Sequence, residues 1–190
     1  MLRPAGCNPS QSGLSIGLVA VHLAAGQNSQ THRNADVTDI LSKLQWNVPQ
    51  GSVGIEGCCC LAVAGDMNYR VDADADTVKG LLDRLPLAES LSWLLEQDQL
   101  TAEIAKGNVY QGMREAGPIT FPPTYKYDTS SEAKYGIGFD RYDTSKKQRT
   151  PSWTDRIFVR GIGLDLLPNA YGCLQTLRTS DHRPVTAAFT

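Results

Sequence analysis

Two apolar runs of strand length do most to limit what this chain can become: residues 14–21 (LSIGLVAV) and 58–64 (CCCLAVA). Runs this short suit strands buried in a sheet; a helix usually needs about ten residues or more. The first run leads into His22, and the second ends at Gly65-Asp66. Between them Val37, Ile40, Leu41 and Leu44 recur at helical spacing over residues 34–45, with Thr31 or Asn34 placed to cap the helix. Residues 47–57 hold three Gly and one Pro and read as a surface loop. Strand, helix and strand in that order predict an α/β protein, whose reacting groups belong in the loops after the strands.

The rest of the chain fits that class. Residues 1–13 read as a loose leader rich in Pro, Gly, Ser and Asn, leaving one domain over 14–190. Helices are predicted over 76–85, 87–96 and 98–106, with Gly107 at the C-terminal cap position of the last. Residues 117–155 show little periodicity but carry Phe121, Tyr125, Tyr127, Tyr135, Phe139, Tyr142 and Trp153. A long irregular stretch with that aromatic content reads as ordered and functional. Strands follow at 156–160 and 184–189. Asp72, Asp74 and Asp76 open like a calcium loop, but Thr77 and Asp83 stand where that loop needs Gly and Glu. They read instead as an acidic cluster at a helix N-terminus.

Composition removes several functions. The 190 residues are 41% hydrophobic and 20% charged, the balance of an ordinary globular domain. A net charge of −2 lacks the basic excess of a nucleic-acid binder. Cys58, Cys59 and Cys60 read as small, reduced strand residues of a cytoplasmic protein, because Cys7 and Cys173 complete no zinc-ligand spacing with them. The opening residues contain no apolar signal segment, and no run is long enough to span a bilayer, so any membrane contact is expected to be peripheral.

Three motifs carry the chemistry: GDMNYR (Gly65–Arg70), RTPSWTDR (Arg149–Arg156) and SDHRP (Ser180–Pro184), all beside predicted strands. Asp66 and Asn68, two apart on an extended segment, point the same way and offer a carboxylate and an amide to one ligand. Asp181 and His182 point oppositely when extended, so each must find a partner elsewhere.

This ordered set, with HLAAG at 22–26, PPTYKYD at 122–128, and the phrases RNAD, LLEQDQL and YDTSKKQR, resembles the catalytic domain of inositol polyphosphate 5-phosphatases. The resemblance covers Ser15 to Phe189 and is to the C-terminal part of that domain. It implies the DNase I-like fold, a two-sheet sandwich flanked by helices, and a Mg²⁺-dependent phosphatase. The implied reaction removes the 5-phosphate from phosphoinositide headgroups or soluble inositol phosphates by in-line attack of water. By the same resemblance His182, oriented by Asp155, handles protons at the scissile phosphate. Asp66 orients or deprotonates the water, Asn68 holds it and a phosphoryl oxygen, and His22 contacts the transferring group. Which of Asp66 and His182 is the base stays open. Asp181 is implied to lie near the metal, and Tyr125, Lys126, Lys147 and Arg149 to grip the 4-phosphate.

The chain departs from the family in one respect. A Trp-Asn phrase and a Gln-Glu phrase should precede HLAAG, and that Glu is the principal metal-binding carboxylate. Neither Asp nor Glu occurs before His22, and Trp46-Asn47 follows the first helix. The N-terminal part of the fold is therefore expected to be missing, with the isolated chain binding Mg²⁺ poorly and nearly inactive. A non-catalytic phosphoinositide-binding remnant is the alternative; a nuclease of the same superfamily is disfavoured by TYKYD, YDTSKKQR and the charge.

Overall fold

The computed structural model describes residues 15–49, 51–129, 141–161, 165–167 and 169–190. The expected leader at 1–13, with Cys7, and the aromatic residues Tyr135 and Phe139 lie outside them. The first apolar run forms β1 (Ile16–His22) and leads through α1 (Gln30–Lys43) to a hairpin of β2 (Gln45–Val48) and β3 (Gly51–Gly54). The second run forms β4 (Cys60–Asp66). Three helices follow, α2 (Ala75–Arg84), α3 (Leu87–Glu96) and α4 (Gln99–Ala105), then β5 (Arg114–Glu115). The long irregular stretch leads into β6 (Asp155–Gly161), and a pair of β7 (Gly172–Cys173) and β8 (Val185–Thr186) closes the chain.

The main sheet has the order β1-β4-β6-β5. β1 runs parallel to β4, which the α1 crossover allows, and β4 runs antiparallel to β6. β4 is central, so Leu61 and Val63 are buried completely or nearly so. Alternation along β6 sends Phe158 into a core with Leu61, Val63, Val37 and Leu100, and Ile157 into a second with Val78, Leu94, Phe121 and Trp153. The second core lies beneath α2 and α3, and β8 packs against β6 as the counterpart of the main sheet. Among the described residues β1 and β5 are the edges of this sheet, and Ile16 and Leu18 on β1 are exposed.

Several local expectations need correction. Helix α1 begins at Gln30, ahead of the apolar stripe, and its N-cap is Ser29 without a side-chain cap; neither Thr31 nor Asn34 caps it. Asn34 instead accepts from the Tyr69 hydroxyl and donates to Glu103. The Gly-rich loop at 47–57 is mostly the β2–β3 hairpin and a 3₁₀ turn. The last strand covers only Val185–Thr186. Cys58 and Cys60 are free and buried, but Cys59 is disulfide-bonded, so the reduced reading holds for two of that trio. Asp74 caps α2 by accepting from the Thr77 amide at 2.8 Å, which accounts for one aspartate of the acidic cluster.

One ion-pair network ties the helices to the main sheet. The Arg156 guanidinium, 1% exposed, donates to Asp98 Oδ1 at 3.0 Å and forks onto Glu115. Asp98 also caps α4 by accepting from the Thr101 amide, and Tyr171 donates to Glu115. Burial alone would lower the Arg156 pKa; the two carboxylates outweigh it and raise it. Removing one partner of such a buried network strands the others in low dielectric. Arg156→Ala is expected to cost about 3–5 kcal/mol in urea unfolding; a loss below about 1 kcal/mol would show that the network is dispensable.

Candidate active site

Strand register builds the site. His22 on β1 pairs with Asp66 on β4, and Asp66 pairs with Asp155 on β6, so three functional side chains leave one rung of the sheet. Directly opposite residues share a face, which brings side chains distant in sequence within reach of each other. Gly65 permits the close approach of β1 and β4 here. Its φ is +141°, and a Cβ would sit 2.1 Å from the Val21 carbonyl oxygen.

His182 arrives from the loop before β8. Its Nδ1 lies 2.9 Å from Asp155 Oδ2, so Nδ1 carries the proton and Nε2 faces Asp66 Oδ2 at 3.9 Å. His22 Nε2 stands 3.5 Å from the same oxygen. One carboxylate oxygen therefore sits between two imidazoles. Burial, and then repulsion from Asp155, raise the Asp66 pKa despite His182, the Asn68 amide and His22. Burial alone would lower the His182 pKa, but its hydrogen bond to Asp155 and the charges of Asp155, Asp66 and Asp181 raise it overall.

Asn68 is buried at a φ of +56°, with its backbone N–H donating to Asp66 Oδ1. Its Nδ2 donates to the Leu23 carbonyl at 3.0 Å and its Oδ1 accepts from Arg70. Both ends of the amide are thus engaged within the protein.

The irregular segments are laced together around this rung. Tyr125 bridges to both Ser152 and His182, and its ring lies 4.5 Å from the imidazole. Lys126 Nζ donates to Asp181 Oδ2 at 2.6 Å. That bond raises the lysine's pKa, and Lys126 holds the Asp181 carboxyl down although burial alone would raise it. Lys147 and Arg149 line a cavity of about 400 Å³ with Gln27, Arg70 and Thr150. The structure thus groups His22, Asp66, Asn68, Asp155 and His182, sets Tyr125 and the Lys126–Asp181 pair beside them, and places Lys147 and Arg149 in the adjoining cavity.

Sequence reasoning missed the residues that hold this arrangement. Thr124 and Thr154, both fully buried, donate to Asp155 Oδ2 at 2.7 and 2.9 Å. Asp143 folds the lysine-rich loop by accepting from the Ser145 and Arg149 amides. Their only sequence signal was membership of TYKYD, WTDR and YDTSKKQR; the partners are set by tertiary contact.

The donor set falls short of a metal site. No group of three or more His, Cys, Asp or Glu side chains among the described residues could hold an ion, and Asp181 is paired with Lys126. Asp66 is the best-placed carboxylate, because a cation beside it would relieve its repulsion with Asp155.

The mixed α/β sheet with carboxylates and imidazoles at its strand ends fits the DNase I-like fold, to which its matches with known proteins assign the chain. The chain belongs to the Endonuclease/Exonuclease/phosphatase family 2, whose model matches residues 7–188. It is 41% identical over 178 residues to synaptojanin of Caenorhabditis elegans, which covers 92% of this chain and 14% of that protein. It is 37% identical over 179 residues to the type II inositol 1,4,5-trisphosphate 5-phosphatase of Mus musculus, covering 92% of this chain and 16% of the relative. The inositol polyphosphate 5-phosphatase domain of SPsynaptojanin, solved with inositol (1,4)-bisphosphate and calcium ion, superposes with a TM-score of 0.76 at 37% identity. That match covers 92% of this chain and 46% of the solved one. The chain therefore spans less than half of the solved domain and a small part of these curated relatives.

The raised His182 pKa gives a signed prediction. Its stabilising contribution is present below its unfolded pKa of about 6.5 and is lost as pH rises through the folded value. The stability difference between wild type and His182→Gln, from urea unfolding, is expected to be larger at pH 5.5 than at pH 8.5. A difference that is flat or grows with pH would contradict the pairing.

Proposed function

We propose that the chain carries the proton-handling and phosphate-gripping part of an inositol polyphosphate 5-phosphatase site, acting on the 5-phosphate of phosphoinositides or soluble inositol phosphates. The observation that carries this is Asp66 Oδ2 lying between His22 and His182, with His182 held by Asp155. Asp155 fixes the imidazole tautomer, so Nε2 is the atom free to give or take a proton beside Asp66. The Asp66 carboxylate, with its raised pKa, orients or deprotonates an attacking water, and His22 meets the transferring phosphoryl group. Asn68 acts from its fixed position, its backbone N–H donating to Asp66 Oδ1. Tyr125, Lys126, Lys147 and Arg149 supply hydroxyl and cationic groups for the neighbouring 4-phosphate. A divalent cation, Mg²⁺ in this reading, would neutralise phosphoryl charge near Asp66, with Asp181 close by. The described donors alone would hold it weakly, so low activity of the chain by itself is part of the reading. We place the protein in the cytoplasm, peripheral to membranes, where the Cys59 disulfide is an exception beside the free Cys58 and Cys60; no helix among the described residues is long and apolar enough to cross a membrane.

The second reading, a phosphoinositide-binding module without turnover, is favoured because no group of three His, Cys, Asp or Glu side chains among the described residues could hold a metal ion. Phosphate release from inositol 1,4,5-trisphosphate separates the two. Under the first reading, release by wild type is slow but rises with MgCl₂, falls to the no-enzyme background in His182→Ala, and in Lys126→Ala falls more on substrates with a 4-phosphate than without one. Release no greater than that of His182→Ala, with inositol 1,4-bisphosphate still bound, would select the binding module. Neither turnover nor binding would sink both.

A further inference from the structure

The Arg70 guanidinium occupies a junction that the proposed chemistry leaves unused. It is 4% exposed, and its backbone is clamped on both sides by Gln99: the Arg70 amide donates to Gln99 Oε1, and the Gln99 amide donates to the Arg70 carbonyl. Nε donates to the Asn68 carbonyl at 3.0 Å and Nη2 to Asn68 Oδ1. The planar guanidinium lies 4.6 Å from the Tyr125 ring centroid, and that ring packs on His182. Nη1 has no hydrogen-bond partner among the described residues, and Arg70 lines the same cavity as Lys147 and Arg149.

These contacts impose directions. Asn68 sits in the left-handed region, which asparagine adopts more readily than other non-glycine residues because its short side chain can hydrogen-bond locally. A donor on Oδ1 settles which end of the amide faces Leu23, so Arg70 selects one of two amide orientations. A guanidinium has two separable edges, whereas an ammonium is a point charge that cannot fork.

We propose that Arg70 is a positioning and specificity residue: an anionic phosphate group bound in the Lys147–Arg149 cavity engages its free edge, and its other edge transmits that occupancy to the Asn68 amide and the Tyr125–His182 stack. The inference rests on the phosphatase reading for its substrate class, a phosphate monoester next to the one being cleaved. The coupling itself concerns binding alone. A phosphate in the cavity draws the guanidinium toward it along a charge-assisted contact, and the Asn68 and Tyr125 contacts respond because they share that rigid plane.

The test reads the Asn68 side-chain amide by ¹H–¹⁵N spectroscopy, assigned by its loss in Asn68→Asp, during titration with inositol 1,4-bisphosphate and separately with inorganic phosphate. In wild type the signal is resolved and shifts on saturation. In Arg70→Gln it is expected to stop responding, while affinity for inositol 1,4-bisphosphate falls only about tenfold because the neighbouring cations remain. Arg70→Lys, the variant that preserves charge should the glutamine disturb folding, is expected to recover affinity without recovering the Asn68 response. An unchanged response in Arg70→Gln, full recovery in Arg70→Lys, or no response to either ligand in wild type would overturn the proposal. Absent hydrolysis with an intact Asn68 response would count against the phosphatase reading and leave Arg70's role standing; hydrolysis with no Arg70-dependent response would do the reverse.

Discussion

The register of β4 between β1 and β6 is the constraint on which the rest depends. Side chains alternate across a strand, so a slip of one residue would turn Asp66 away from both His22 and Asp155. Two features guard that register. Leu61 and Val63 must face one core, and Gly65 must lie against the Val21 backbone, where a Cβ has no room. The apolar packing that builds the sheet and the placement of the functional acids are therefore one requirement.

Electrostatic cost accompanies this convergence. Two carboxylates on neighbouring positions of one rung repel, and burial removes the water that would screen them. The imidazoles relieve part of that strain, with Asp155 steadied by His182, Thr124 and Thr154. The Lys126–Asp181 pair closes off a further acid beside them. Within this site both Asp66 and His182 hold their protons more tightly than free side chains do, and it is this tuning of proton affinity that general acid–base work depends on. Away from it, the Arg156 network fixes α4 to β5 and β6 and so frames the base of the rung.

Much of this was legible in the sequence, and what escaped has physical causes. Elements with strong periodicity or a clear apolar run stood out: β1, β4, α2 and α3 lie close to where their residues imply. The β2–β3 hairpin was hidden because Gly and Pro mark loops and tight hairpins alike. The start of α1 was hidden because its first turn carries no cap of its own. Motif order brought the acids and histidines into view. The residues that hold them did not stand out, since Thr124, Thr154, Asp143 and Arg70 gain their meaning only from partners contributed by other segments. Asp181, which the resemblance places near a cation, pairs in the fold with Lys126, a partner 55 positions away that sequence adjacency does not show.

The most direct test of the convergence is an NMR titration of the His182 imidazole in wild type and in Asp66→Asn. Asp66 lies 3.9 Å from His182 Nε2, and its negative charge helps hold the imidazolium. Neutralising it should move the His182 midpoint to lower pH while the fold persists. A midpoint that stays where it was would mean that residues 66 and 182 do not share a site, and the shared rung would lose its chemical meaning.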